Sequence, residues 1–154
     1  MAGLMKSKDF LPPASADGPR NTLRPLVLIV EDHDDTRSLY KYVLELHGYE
    51  IAEAKQGEDA IRLAKELHPD LILMDTNLPE LDGVTATQRM REDFALHDLP
   101  IIFISGHAQP ELRAAALAAG GNDYLVKPTS LSDLEASVEK HLANGRNHRT
   151  AEGR

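Results

Sequence analysis

The sequence has 154 residues, 42% hydrophobic and 27% charged, which is enough for one globular domain with its own core. It contains no cysteine, which excludes disulfides, thiolate metal sites and a cysteine nucleophile, and which suits a reducing cytoplasm. The net charge of −8 argues against direct binding to nucleic acid, and no apolar run approaches the roughly 18 residues that membrane insertion needs.

The two ends of the chain show no hydrophobic period. Residues 1–24 are rich in Pro, Gly, Ala and Ser, and we expect them to form a disordered leader. Residues 143–154 are mostly polar, and we expect them to form a disordered tail. Residues 25–142 between these ends make up the one predicted domain.

Within this domain, apolar runs of strand type alternate with segments of helix type. The predicted strands are LVLIV (26–30), YEIAEA (49–54), LILMD (71–75), PIIFIS (100–105) and DYLVK (123–127). The predicted helices are TRSLYKYVLELHG (36–48), GEDAIRLAKELH (57–68), VTATQRMRED (84–93), ELRAAALAAG (111–120) and SLSDLEASVEKHL (130–142). Strands that are apolar on both faces and joined by helices predict a doubly wound, five-stranded parallel sheet with five helices, which is a three-layer α/β sandwich.

Two of the helices carry more detailed predictions. In the first, Leu39, Val43 and Leu46 share one face, which we expect to be the buried one. In the last, Ser132 and Glu135 have the spacing of a capping box, which predicts where that helix begins.

Charged residues surround the start of the first helix. Asp34 and Asp35 fall in its first turn, where carboxylates complement the positive end of the helix dipole. We expect Arg37 to be a surface charge on the same helix. We expect His33, His97 and His107 to be ordinary surface histidines, because they lie on separate loops without the ligand spacing of a zinc site.

Polar residues follow the predicted strands at the points where they end. Glu31 and Asp32 follow the first strand, Asp75 ends the third, Ser105 ends the fourth and Lys127 ends the fifth. The carboxyl ends of parallel strands meet at one edge of the sheet, which is where such sheets bind ligands. Carboxylate and hydroxyl oxygens suit Mg²⁺, and a carboxylate can act as a nucleophile toward phosphorus while lysine offsets the developing charge.

Four motifs, VLIVEDHDDTR, LILMDTNLPELDG, IIFISGHA and DYLVKP, occur in this order, each on a predicted strand. Together they resemble the response-regulator receiver domain of two-component signalling, over residues 25–142. The resemblance implies a flavodoxin-like sheet of strand order 2-1-3-4-5. It also implies a phosphoacceptor switch that resets by hydrolysing its own phosphate. We expect a stand-alone, cytoplasmic receiver, because no effector-domain pattern follows Leu142; a receiver cut from a hybrid kinase is the alternative.

The resemblance implies a role for each acid at the strand ends. Asp75 is the implied phosphoacceptor. Asp32 is implied to bind Mg²⁺ directly, and Glu31 to bind it through water. Asn77, two residues after Asp75, is implied to give the metal its backbone carbonyl.

The remaining roles implied by the resemblance belong to the switch. Ser105 takes the place of the hydroxyl that moves onto the phosphoryl group, and Tyr124 the place of an aromatic side chain that rotates with it. Lys127 binds a phosphoryl oxygen, and the bond from Lys127 to Pro128 is cis in this family. The implied phosphate donor is a histidine kinase or a histidine phosphotransfer protein. The implied output is an unknown downstream protein, which binds the face formed by helix four, strand five and helix five.

Three alternatives use the same residues differently. The segment DHDDT (32–36) resembles the nucleophile motif of haloacid-dehalogenase-like phosphatases, but it starts one residue after the strand end and leaves Asp75 without a role. A flavodoxin-like flavin carrier needs a phosphate-binding loop after strand one, where this chain has carboxylates that would repel the phosphate. A binding module without phosphate chemistry does not account for the combination of acids, hydroxyl and lysine.

Overall fold

The computed structural model of the chain describes residues 24–152 and contains a five-stranded parallel sheet within them. The strands are β1 (Leu26–Val30), β2 (Glu50–Ala54), β3 (Leu71–Asp75), β4 (Ile101–Ser105) and β5 (Asp123–Val126). Their order in the sheet is β2-β1-β3-β4-β5, and every neighbouring pair is parallel. The predicted doubly wound, flavodoxin-like architecture is therefore confirmed.

Five α-helices cover the two faces of this sheet in the described part of the chain. They are α1 (Asp34–Leu46), α2 (Gly57–Leu67), α3 (Gly83–Arg91), α4 (Pro110–Ala118) and α5 (Leu131–Glu152). A short 3₁₀ helix at Phe94–Leu96, which the sequence did not predict, follows α3. No helix among the described residues is long and apolar enough to cross a membrane.

The alternating side chains of the strands divide the core into two layers. Leu26, Leu28 and Val30 of β1 point toward α2, α3 and α4, where small and flexible side chains such as Ala60 and Met90 pack against them. The side chains between them in β1 point to the opposite face, toward α1 and α5. All residues of β1, β3 and β4 are buried, which explains why the sequences of these strands are apolar runs rather than alternations of apolar and polar residues.

The buried face of α1 differs from the predicted one. Leu39 and Leu46 are 47% and 67% exposed, whereas Tyr40 and Leu44 pack against the sheet. Helix α1 has apolar residues on two adjacent faces, so its period alone does not say which face turns inward. Packing against the sheet buries the face of Tyr40 and Leu44.

Helix α5 begins and ends elsewhere than predicted. Its first turn is capped by Ser130, whose Oγ accepts the N–H of Asp133 at 3.0 Å, so the capping residue lies two positions before Ser132. Glu135, the expected partner of Ser132, instead places Oε2 2.9 Å from Nε2 of His47, just after the end of α1.

At its other end α5 continues to Glu152, so that residues 143–152, expected to be a disordered tail, are helical. Extending a helix that already packs against the sheet adds one hydrogen bond for each further residue, whereas starting one is costly. The predicted leader lies outside the described residues except for Arg24, and the division of the chain into three segments stays a prediction.

The strand order places a topological switch point between β1 and β3. From β1 the chain crosses outward to β2, then returns past β1 to β3, so the connections at the carboxyl ends of β1 and β3 leave in opposite directions. The resulting cleft lies directly beyond Val30 and Asp75, which places the predicted site residues around it.

Gly83, the first residue of α3, is required by the close approach of α3 to the β3 end. A Cβ atom there would overlap the carbonyl oxygen of Asp75 and lie 2.9 Å from Cγ of Met74. We expect Gly83→Ala to lower the free energy of unfolding by about 1–3 kcal/mol in urea titrations. Gly106→Ala is the matched control, because a Cβ there has no atom within 4 Å, and an equal loss in both variants would contradict the explanation.

Candidate functional site

The centre of the site is a lysine placed between two buried carboxylates. The β1–β3 register pairs Val30 with Met74, so the next residues, Glu31 and Asp75, lie side by side at the strand ends. Their exposed fractions are only 1% and 4%. The Nζ atom of Lys127, which follows β5, lies 3.2 Å from Glu31 Oε1 and 3.2 Å from Asp75 Oδ2. This arrangement offsets part of the cost of burying two like charges together.

The two carboxylates bind protons with different strength. Burial raises the pKa of Asp75 to about 6, and the neighbouring Glu31 adds to the rise against the opposing effects of the Asn77 N–H and Lys127. Burial also acts on Glu31, but the His33 N–H and the Lys127 ammonium outweigh it and hold the pKa of Glu31 below its usual value. Desolvation of Lys127 is likewise outweighed by Asp75 and Glu31, so its pKa is raised and it stays charged. A proton shared by the pair therefore resides on Asp75.

Asp32 presents an oxygen atom with unmet bonding capacity. Its Oδ1 is buried and makes no hydrogen bond among the residues that the structure describes, and His33 Nδ1 lies 3.5 Å from it. One ligand atom from each of Glu31, Asp32 and His33 lies within 4.8 Å of the others. The His33 ring is largely exposed, as expected for a surface residue, although its Nδ1 lies 3.1 Å from Glu31 Oε2. A buried carboxylate oxygen without a donor is the type of atom that a hard cation satisfies.

Asn77 contacts the same group through its main chain. Its N–H donates to Asp75 Oδ1 at 2.9 Å, so that Asp75 is held on one oxygen by a backbone amide and on the other by Lys127. The structure thus places Asn77 beside Asp75. Metal binding by the Asn77 carbonyl stays a prediction.

Ser105 and Tyr124 are linked through one residue of the loop after β4. The N–H of His107 donates to Ser105 Oγ at 3.1 Å, and the Tyr124 hydroxyl donates to the His107 carbonyl oxygen at 2.8 Å. Both side chains are buried, and the Tyr124 ring lies 6.5 Å from that of Phe103. The backbone of His107 therefore joins the two residues that the sequence assigned to the switch.

Arg37 is not the surface residue that the sequence predicted. It is only 8% exposed, and its guanidinium donates to the Glu31 carbonyl oxygen, to Glu53 on β2 and to Asp34. A long, charged side chain in the first turn of a helix usually points to water, and no local pattern announces that it turns toward the sheet. The Arg37–Glu53 pair joins residues of separate elements, so only the folded chain reveals it.

The bond from Lys127 to Pro128 is cis, as the resemblance implied.

The comparisons with known proteins agree with this geometry. A family model, the response regulator receiver domain, matches residues 27–139. This chain belongs to the response regulator receiver domain family. Receiver domains are the phosphoacceptors of two-component signalling, and histidine kinases phosphorylate them.

Individual relatives support the same assignment. The transcriptional regulatory protein PrrA of Mycobacterium tuberculosis is 40% identical over 118 residues, which cover 77% of this chain and 50% of PrrA. The polar-differentiation response regulator DivK of Brucella abortus is 33% identical over 118 residues, which cover 77% of this chain and 96% of DivK. The receiver therefore spans about half the length of PrrA and nearly the whole of DivK.

A solved structure shows the likeness in three dimensions. The receiver domain of the sensor histidine kinase PA1611 from Pseudomonas aeruginosa PAO1 aligns with a TM-score of 0.73 at 32% identity. The alignment covers 78% of this chain and 98% of that one. In that structure a magnesium ion is coordinated in the active site cleft.

The raised pKa of Asp75 predicts a pH-dependent stability for the metal-free receiver. The folded state holds the proton more tightly than the unfolded chain, so stability falls as the pH rises from about 4 to about 6. Asp75→Asn cannot ionise and lacks this fall. In urea titrations with EDTA we expect the variant to exceed the parent by about 1–3 kcal/mol at pH 7 and to match it near pH 4. A difference that does not change with pH would contradict the assignment of the raised pKa to Asp75.

Proposed function

We propose that Asp75 is the residue of this receiver that accepts the phosphoryl group. The observation that carries the proposal is the environment of its carboxylate. Asp75 is buried at a strand end, and one oxygen contacts the Lys127 ammonium while the other accepts the Asn77 N–H. A nucleophile held in this way is oriented, and the lysine beside it stabilises negative charge on an incoming group.

The transfer exchanges one bond to phosphorus for another. An oxygen of Asp75 forms a bond to phosphorus while the P–N bond to a histidine of the donor breaks. The electron pair of that bond stays on the imidazole nitrogen, which leaves as the unphosphorylated histidine. Lys127 remains in contact with the transferred group and offsets its charge.

The acids at the strand ends fit Mg²⁺. The donor set consists of carboxylate oxygens, and Asp32 Oδ1 lacks a hydrogen-bond partner within residues 24–152. Asp32 and Asp75 would hold the ion directly with the Asn77 carbonyl, and Glu31 would hold it through water. When bound, the ion supplies positive charge that stabilises the phosphoryl oxygens during transfer.

Phosphorylation would change the contacts that lead away from the site. The new group carries charge and acceptor oxygens, and the Ser105 hydroxyl, at the end of the neighbouring strand β4, would turn toward it. Ser105 Oγ would then no longer accept the His107 N–H, so the backbone at His107 would move. Tyr124, whose hydroxyl donates to the His107 carbonyl, would move with it. The face of α4, β5 and α5 would shift between two populated states in this way.

The partners of the receiver follow from this chemistry. A particular histidine kinase or histidine phosphotransfer protein would donate the phosphoryl group in the cytoplasm, and a downstream protein would bind the switched face. The acidic residues at the strand ends and the net charge of −8 would repel the phosphates of nucleic acid, which makes it an unfavourable direct partner.

The phosphoacceptor can be identified chemically. We expect acetyl phosphate and Mg²⁺ to shift the receiver on a Phos-tag gel, and borohydride trapping followed by peptide mass spectrometry to find homoserine at position 75. Asp75→Asn should abolish the shift. Asp35→Asn changes an exposed acid in the acidic segment after β1 and should keep it. Homoserine at position 32 instead would support the phosphatase alternative and refute the proposal.

The metal site is tested by a separate pair of variants. We expect Asp32→Asn to weaken Mg²⁺ binding at least about 10-fold, because it removes the carboxylate charge from a buried oxygen of the acidic cluster that makes no hydrogen bond. Asp35→Asn carries the same change of charge and should bind Mg²⁺ as the parent does. Calorimetric titration measures both constants. Equal weakening in the two variants would indicate a general effect of charge rather than coordination by Asp32.

A further inference from the structure

The buried arginine of α1 contacts the acidic loop at its backbone. Arg37 Nη1 donates to the carbonyl oxygen of Glu31 at 2.9 Å, and both groups are buried. Its Nε donates to Glu53 Oε1 at 2.9 Å, and its Nη2 to Asp34 Oδ1 at 2.7 Å. One rigid guanidinium thus connects the end of β1, the edge strand β2 and the start of α1.

The contact with Glu31 acts on the next residue. The Glu31 carbonyl belongs to the peptide plane that ends at the Cα of Asp32, so holding that oxygen restricts the orientation of the whole plane. The same residue is held on its other side, where the Glu31 N–H donates to the Ala54 carbonyl at 3.0 Å. The direction in which the Asp32 side chain leaves the backbone therefore depends on the Arg37 bond.

A purely stabilising role does not explain why an arginine occupies this position. Removing a guanidinium from water is costly, and buried ion pairs often contribute no more to stability than apolar residues of the same volume. The fork of donors nevertheless gives a specific geometry, because three bonds in fixed directions are made at once. Lys41 also pairs with Glu53, at 3.2 Å, and in the described part of the chain it makes no hydrogen bond or ion pair with the loop after β1. A lysine at position 41 therefore suffices to pair with Glu53, so pairing with Glu53 alone does not require the arginine.

We propose that Arg37 is a positioning residue that sets the Mg²⁺ affinity of the receiver by fixing the peptide plane between Glu31 and Asp32. The inference rests on the proposed function, in which Asp32 is a metal ligand. It assigns a role to a side chain that lies outside the set of acids, hydroxyl and lysine at the strand ends. A residue that orients a metal ligand usually changes affinity by about 10- to 100-fold when it is replaced.

The test compares two replacements of Arg37 with a matched control. Arg37→Lys keeps the charge but loses the fork, and Arg37→Met keeps most of the apolar stem. Lys41→Met removes the other cation that binds Glu53 and leaves the Glu31 carbonyl bond in place. Paramagnetic resonance of free Mn²⁺, with Mg²⁺ as competitor, gives the affinities. We expect both Arg37 variants to bind at least about 10-fold more weakly and Lys41→Met to stay near the parent value.

A second measurement separates positioning from general stability. In metal-free protein, the His33 amide, which donates to Glu31 Oε2 at 3.0 Å, should exchange its hydrogen faster in Arg37→Lys than in the parent. Amides in the middle of β3 should be unchanged, because a general loss of stability would raise exchange across the whole domain. If Arg37→Met does not fold, Glu53→Gln loosens the same guanidinium from β2 and should give a smaller loss of affinity.

The outcomes distinguish the inference from the proposed function. Parent-like metal affinity in Arg37→Lys would overturn the positioning role while leaving the metal site intact. Equal losses in Arg37→Lys and Lys41→Met would assign the effect to the ion pair with Glu53 and would also overturn it. A parent receiver that binds neither Mn²⁺ nor Mg²⁺ would overturn the proposed metal site and the inference together.

Discussion

The contact of one ammonium group with two buried carboxylates is the constraint on which the rest of the site depends. Glu31 and Asp75 are nearly inaccessible to water, and Lys127 is the cation that touches both in the described part of the chain. The lysine follows the edge strand β5, 96 residues from Glu31 along the chain. The lysine reaches these acids only when β1, β3, β4 and β5 lie side by side in this order, which ties the chemistry of the site to assembly of the sheet.

From this centre, contacts run toward both edges of the sheet. On one side, Arg37 connects the backbone of Glu31 to Glu53 on β2. On the other side, the His107 backbone connects Ser105 to Tyr124 on β5. The first set of bonds joins rigid elements through a charged fork, whereas the second passes through a loop and two hydroxyl groups that can exchange partners. This difference suits a fixed metal site on one side and a movable switch on the other.

The features predicted correctly share a local origin. Five apolar runs, each ending in a polar residue, indicate parallel strands and a common edge, and this reasoning placed Glu31, Asp75 and Lys127 together. The errors concern choices that local sequence leaves open. Helix α1 offers two apolar faces, and which of them is buried, that of Tyr40 and Leu44, depends on packing against the sheet. The burial of Arg37 depends in turn on Glu53, a residue of a different element.

By itself, the sequence determined the strands, the alternation with helices and the chemical character of the strand ends, because these depend on side-chain period and residue type. The tertiary structure alone decided which of the two carboxylates binds a proton more tightly. Asp75 and Glu31 are both acids at strand ends, but burial raises the pKa of one, while the His33 N–H and Lys127 lower that of the other. The burial and the Lys127 contacts depend on groups far apart in the chain, and no pattern of neighbouring residues encodes them.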